Sequence, residues 1–373
     1  RWLLALDDHE FFESQEFMAL EQWKTMGTFL KQVVISQYES LYSSNKENFD
    51  KSFASATSGL LQLLYERDCR KSFMDEGWIS AEITHIFHRD EEAQNYVISH
   101  SPFFIPLDDR FKLFHDNVNQ EKQTIRSSFY SRVGLKIHRD NLFEEGYEKL
   151  SRLSATEFRQ KFRVEFINSS GLAEAGIDGG GLFKEFITEM LHRGFNPDSG
   201  LFTNSHHNDL YPNPEAPKSV EGWEKMFTFL GRILGKSLFD LVLVHLPLSR
   251  FFISRILKKS ANHVNDLSIL DPALYKGLME LKNYKGNVEE DFGLTFSLSE
   301  TVLGEKRIVD LIPGGRNKSV TNQNRMKYIF LMARYRLNVK IKPQIEYFLL
   351  GFYDVIPYQW IQMFNEVLFC SVC

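Results

Sequence analysis

The sequence predicts an α+β protein that is mainly helical. Apolar residues recur near the 3.6-residue helical period along most of the chain, and only a few short stretches alternate with a period of two. Phe supplies 33 of the 373 residues, apolar area with no polar group to satisfy, so the core should be large and dry.

Composition bounds the function. At roughly 100–200 residues per domain, the chain holds two or three domains' worth of residues. Hydrophobic residues at 43% and charged residues at 25% exclude disorder and low-complexity arrays. A net charge of −5 argues against a nucleic-acid partner. No stretch approaches the ~18 apolar residues that span a membrane, which argues against a membrane partner. The start carries Asp7, Asp8, Glu10 and Glu13, which is wrong for a signal or transit peptide, and it opens with Arg rather than Met. Three cysteines (Cys69, Cys370 and Cys373) cannot build a disulfide framework, so the chain reads as intracellular, cytoplasmic or nuclear.

The first third reads as helices joined by polar loops. Phe17, Leu20, Trp23, Leu30, Val33 and Val34 fall near one helical period, and Phe53, Ala56, Leu60, Leu63 and Leu64 near another. Phe111, Phe114 and Val118 share a face after Pro106, with Asp108 or Asp109 as cap. Asp140 can cap a helix carrying Leu142, Gly146, Leu150 and Leu153. Ser154-Ala155-Thr156-Glu157 fits a capping box. Phe162, Val164 and Phe166 then alternate as a strand. A glycine-rich turn ending at Gly181 leads into a helix bearing Phe183, Phe186, Ile187, Met190 and Leu191.

The next strong helix carries Trp223, Phe227, Leu230, Leu234 and Leu238. Gly231 and Gly235 on it invite close approach of another element. Asp271-Pro272 is a helix start, followed by Leu274, Leu278 and Leu281. Phe292, Leu294, Phe296 and Leu298 alternate with Gly293, Thr295 and Ser297, a strand. A second short strand lies near Ile308, Val309 and Leu311. Thr321 can cap a helix bearing Tyr328, Leu331, Met332 and Tyr335.

Motif tests are mostly negative. Gly176 and Gly181 have P-loop spacing, but Leu182 and Phe183 replace the Lys and Ser/Thr, and acidic Glu174 and Asp178 would repel phosphate. His206-His207 with Asp209 lacks a second ligand pair, so no metal and no cofactor is expected. There is no G-x-S-x-G elbow. Cys370 and Cys373 have redox spacing without a following helix N-terminus. Cys69, between Arg67, Asp68 and Arg70, reads as a structural thiol. Taken alone, the Leu274, Leu278 and Leu281 stripe is more often core than binding site.

Several segments in order resemble the HECT-type ubiquitin ligases. They are Lys161-Phe-Arg-Val-Glu-Phe166, Gly171 to Gly181, Phe183-Lys-Glu-Phe186 and Phe229-Leu-Gly-Arg-Ile-Leu-Gly-Lys236. Leu274-Tyr275, Tyr284-x-Gly286-Asn287-Val288, Leu294-Thr295-Phe296, Pro313-Gly314-Gly315 and Val320-Thr321-Asn322-x-Asn324 follow. Leu63-Leu64-Tyr65-x-Arg67-Asp68-Cys69-Arg70 resembles what precedes the HECT domain in one branch of the family. The insertion Glu174 to Asp178 points to the same branch.

The resemblance implies a helical extension over residues 1–133 and a HECT N-terminal lobe over 134–373. About 246–337 would be its conjugating-enzyme-binding subdomain. It implies ubiquitin transfer from a conjugating enzyme, through a cysteine thioester, to a substrate lysine. The implied partners are a ubiquitin-conjugating enzyme and ubiquitin, the protein substrates being unknown. Carried over by motif, Leu274, Leu278, Leu281, Phe292, Tyr328 and Met332 would line a half-exposed groove for an apolar loop of the conjugating enzyme. One departure stands out. The family's catalytic Thr-Cys-x-Asn occurs nowhere in these residues, and the family pattern is expected to end after Asn365. No catalytic residue is therefore assigned. The chain alone is expected to dock a conjugating enzyme without transferring ubiquitin, or to act as a truncated module that sequesters such enzymes.

Overall fold

The computed structural model describes residues 6–15, 17–42, 51–128, 133–174, 180–259, 264–302 and 305–372. Mainly helical, with short strands, it has the expected class. The chain divides into two compact units: 1–119 with 358–368, and 120–357 with 369–373.

The first unit is helical. A π-helical turn Glu10–Ser14 precedes α1 (Leu20–Tyr42), α2 (Lys51–Asp68), α3 (Ala81–Phe87) and α4 (Glu91–His100). Helix α5 (Leu107–Ser128) starts directly after Pro106, which puts Asp108 and Asp109 in its first turn rather than at the cap. There they still complement the positive end of the helix. Aromatic packing fills the unit. Phe11 stacks on Trp23 at 5.3 Å, and Tyr65 on Phe103 at 4.7 Å. The buried face of α2 is Ala54, Thr57, Ser58, Leu61, Leu64 and Arg67, one residue away from the predicted stripe, and Phe53 faces solvent. Arg67 explains the offset. Its guanidinium is 1% exposed, bonds Asp8 Oδ1 at 2.7 Å and the Leu6 carbonyl, and pulls its own face inward.

The Tyr65-to-Arg70 segment is thus structural. One Asp68 oxygen accepts from the main-chain N–H groups of Phe73 and Met74, and the other from Trp78 Nε1 at 2.8 Å. Cys69 is half-buried, and its sulfur accepts from Asn365 Nδ2, which also donates to Tyr65 Oη.

After the last turns of α5, from residue 120 on, the second unit holds a strand that sequence reading missed. Strand β1 (Val133–His138) pairs in parallel with β2 (Phe162–Ile167), Val133 opposite Phe162 and His138 opposite Ile167. Helices α6 (Leu142–Leu150) and α7 (Ala155–Arg159) form the crossover. Asp140 does not cap α6, because it sits inside a 3₁₀ turn, and Leu153 falls beyond the helix. The capping box of α7 forms as expected. Ser154 Oγ accepts from Glu157 N, and the Glu157 carboxylate accepts from Ser154 N at 2.8 Å. Ser154 Oγ also donates to that carboxylate at 2.7 Å, and the main-chain and hydroxyl donors of Ser154 hold it below its ordinary range. Ser154→Ala should cost about 1 kcal/mol in denaturant melting, the usual worth of such a cap.

Helix α8 (Gly181–Phe195) follows the glycine-rich turn, whose residues 175–179 lie outside the described set. Strands β3 (Phe202–Asn204) and β4 (Leu210–Pro212) form an antiparallel pair, and short α9 (Ala216–Ser219) leads to α10 (Trp223–Phe239). Phe195, Phe202, Phe252 and Phe348 build the dry core, Phe195 stacking on Phe202 at 4.3 Å and Phe252 meeting Phe348 at 5.2 Å. Short helices α11 (Arg250–Ile256) and α12 (Leu267–Leu270) precede α13 (Pro272–Asn283) and α14 (Val288–Phe292). Strands β5 (Ser297–Val302) and β6 (Glu305–Asp310) pair antiparallel, Ser297 opposite Asp310. Helix α15 (Arg325–Arg334) runs into a π-helical turn, Tyr335–Val339, and then α16 (Lys342–Val355).

The helices α10 and α16 touch backbone to backbone. A Cβ on Gly231 would lie 2.0 Å from the Phe348 oxygen, and one on Gly351 only 1.8 Å from the Thr228 oxygen. Gly235 is nearly as tight, 3.0 Å from Val355 Cβ. The close approach expected of Gly231 and Gly235 is real. Helices α17 (Tyr358–Ile361) and α18 (Glu366–Val372) close the chain. Cys370 falls on α18, but its side chain and the whole of Cys373 lie outside the described residues.

Candidate functional site

Three elements gather the six predicted groove residues. Asp271 caps α13, its Oδ1 accepting from Leu274 N at 3.0 Å, with Pro272 preset for the first helical turn. Arg336 reaches the other Asp271 oxygen at 2.6 Å, so the cap also ties α13 to the turn that ends α15. At the far end, Arg325 donates to the Tyr284 carbonyl at 2.6 Å. Asn322 bridges the same corner, accepting from Val288 N and donating to the Gly286 carbonyl, both at 2.8 Å. The motif residues around Tyr284 and Asn322 therefore hold α13, α14 and α15 together.

Two local readings differ from expectation. Phe292 is not on a strand. It ends the short helix α14, which Asn287 caps and Gly293, at φ +57°, terminates. The strand begins only at Ser297, because the chain around Leu294–Phe296 pairs with 318–320 instead, through Phe296 N to the Lys318 carbonyl and Val320 N to the Leu294 carbonyl. Thr321 does not cap α15 either. The N-cap is Asn324, whose Oδ1 accepts from Thr321 N.

Burial corrects the picture of a half-exposed groove. Leu278, Leu281, Tyr328 and Met332 are all at most 5% exposed and belong to the core of this corner. Tyr328 meets Phe296 edge to face at 5.7 Å, and burial pushes its phenol up. Leu274 is half-buried. Phe292 is the one that faces solvent, 40% exposed, its ring edge against Tyr284 at 4.9 Å. The Leu274-to-Leu281 spacing alone could not separate these cases, since one helical face holds core and rim alike. Sequence reading also passed over a second exposed stripe on α15, Met326 and Phe330, one turn apart and visible as an i,i+4 pair.

Other candidate chemistry does not assemble. Among the described residues no cluster of His, Cys, Asp and Glu could hold a metal ion, and His206 and His207 are both exposed. No described helix is long and apolar enough to cross a membrane. Glu174 is held by Arg139 in a two-pronged ion pair, an arginine it shares with Glu185.

Comparison with known proteins decides the family. The family model described as HECT-domain (ubiquitin-transferase) matches residues 188–372. The chain is 33% identical to E3 ubiquitin-protein ligase UPL6 of Arabidopsis thaliana, over 98% of its own length and 37% of that protein. It is 35% identical to human Ubiquitin-protein ligase E3B, over 97% of its length and 35% of that protein. The chain belongs to the HECT family. The HECT match runs to residue 372, past Asn365, so the expected early end of the family pattern is not observed. These two alignments extend through the helical first third. A probable E3 ubiquitin protein ligase of Schizosaccharomyces pombe aligns at 29% identity over 98% of the chain. The chain spans little more than a third of the length of these HECT relatives.

Proposed function

We propose that this chain is the conjugating-enzyme-docking part of a HECT ubiquitin ligase. In this reading residues 1–133 are a helical extension and 134–373 a HECT N-terminal lobe. Ubiquitin-conjugating enzyme docks on about 246–337, ubiquitin being its cargo. The observation that supports it best is the exposed Phe292 ring, edge to face with Tyr284, in the corner whose buried residues include Leu278, Leu281, Tyr328 and Met332. A rigid, packed corner that presents an exposed aromatic suits a transient partner, because a few anchors carry such interfaces. Leu274, half-buried, extends the contact along α13.

The thioester step is assigned to residues outside this chain. A thiolate needs a positioned base or a lowered pKa to accept an acyl group. Cys69 instead sits in a structural corner with Tyr65 and Asn365. The 373-residue chain, incubated with ubiquitin, activating enzyme, charged conjugating enzyme and ATP, should show no reductant-sensitive ubiquitin adduct. An adduct on Cys69, Cys370 or Cys373 would contradict the assignment. The absence of Thr-Cys-x-Asn also favours a second reading, in which the chain by itself sequesters conjugating enzymes. Added to a transfer reaction run by another ligase, it would then inhibit in proportion to the conjugating enzyme it binds.

A further inference from the structure

We propose that a cationic pocket beside Val242 receives an extended acidic segment of another protein. The pocket encloses about 270 Å³ and is lined by Lys122, Arg159, Lys161, Phe162, Lys184 and Asp240. Four cations thus face one carboxylate. That carboxylate is already saturated, with one Asp240 oxygen 3.2 Å from Lys122 Nζ and the other 2.9 Å from Lys236 Nζ. Lys236 is fully buried behind the pocket, its ammonium 4.5 Å from the Phe162 ring centre and bonded to the Gln160 carbonyl. Burial pushes that ammonium down and Asp240 opposes the shift. Arg159 is spent on Glu121 and the Asp354 carbonyl. Lys161 and Lys184 are exposed and have no ion-pair partner among the described residues. Two uncommitted ammonium groups therefore stand at the mouth of a pocket whose surroundings are net positive, on a chain whose net charge is −5.

The wall of the pocket continues as an open backbone edge. Beyond the turn at Leu241, whose φ is +56°, buried and exposed residues alternate one by one from Val242 to Leu246, the period of an extended strand. Leu241 is 39% exposed and Leu243 69%. At the far end Pro247 accepts from Leu210 N, but the main-chain N–H groups of Leu243, Val244 and His245 meet no backbone acceptor among the described residues. An unpaired edge is a template for an added strand. A segment laid along it would carry apolar side chains against Leu241 and Leu243 and place acidic ones by Lys161 and Lys184. This chemistry is independent of the conjugating-enzyme groove.

The test is selection of phage-displayed random dodecapeptides on the 373-residue chain. Enriched clones should carry acidic residues interleaved with apolar ones. A synthetic peptide from such a clone should bind Lys161→Glu/Lys184→Glu at least about tenfold more weakly, with the melting temperature unchanged. Leu243→Pro should weaken it as well, and Leu243→Asp, which keeps the backbone intact, does the same by charge repulsion should the proline variant fail to fold. No enrichment, clones without acidic residues, or equal affinity for the charge-reversed variant would each overturn the proposal. Competition by inorganic phosphate, with both Leu243 variants binding normally, would overturn the peptide in favour of a small-anion pocket.

Discussion

Gly351→Ala is expected to destabilise the second unit by about 3 kcal/mol, and Gly231→Ala by a similar amount. The added methyl groups would sit 1.8 Å from the Thr228 oxygen and 2.0 Å from the Phe348 oxygen, far inside van der Waals contact. Both obstacles are backbone atoms of a packed helix, so no side-chain rotation relieves them and α10 and α16 must move apart. Overpacking of side chains alone costs about 1–3 kcal/mol, and a backbone clash belongs at or above the upper end. Gly277→Ala is the natural control. It lies in α13 with no atom within 4 Å of the added carbon, so alanine there should raise stability by about 0.5–1 kcal/mol through helix propensity. Thermal and urea melting of the three variants checks the pair. A loss under 1 kcal/mol at Gly351 would mean that the helices are not in backbone contact.

Phe292→Asp is expected to weaken binding of a ubiquitin-conjugating enzyme by about 2–3 kcal/mol while leaving folding nearly untouched. A central aromatic anchor carries energy of this order, and a carboxylate in its place must be desolvated on docking. The ring is 40% exposed, so its loss disturbs packing far less than loss of a fully buried side chain would. Leu281→Ala is the less informative variant. Leu281 is 2% exposed, and truncating such a leucine costs about 2–5 kcal/mol of stability, so weaker binding would follow from unfolding alone. The same holds for Tyr328 and Met332.

Periodicity made half of the helices legible, since an amphipathic face is written at i, i+3 and i+4, and it passed over α4 and α16. It placed the Ser154 capping box, the Asp271-Pro272 start and the tight Gly231 and Gly235 positions. It did not show Gly351 as their counterpart, because helix contact depends on which faces meet in three dimensions. It missed β1, where only Leu135 and Ile137 are buried and Gly134 interrupts the pattern. It rotated the face of α2 by one residue, because it counted Phe53 inward and left out the buried Arg67. At the site, the order of motifs marked the corner built by α13, α14 and α15. Burial within that corner was not legible. Leu274 and Leu281 look alike in sequence, and only packing decides that one stays half-open while the other becomes floor.

The central claim is tested most directly by calorimetric titration of a ubiquitin-conjugating enzyme into the chain, its Phe292→Asp variant and its Phe330→Asp variant. Phe330 is 51% exposed on a different stripe of α15 and controls for non-specific apolar contact. Docking at the proposed groove predicts that the first substitution lowers affinity at least about thirtyfold. It also predicts that the second changes affinity less than about threefold. Unchanged affinity in Phe292→Asp, or a loss confined to Phe330→Asp, would contradict the assignment.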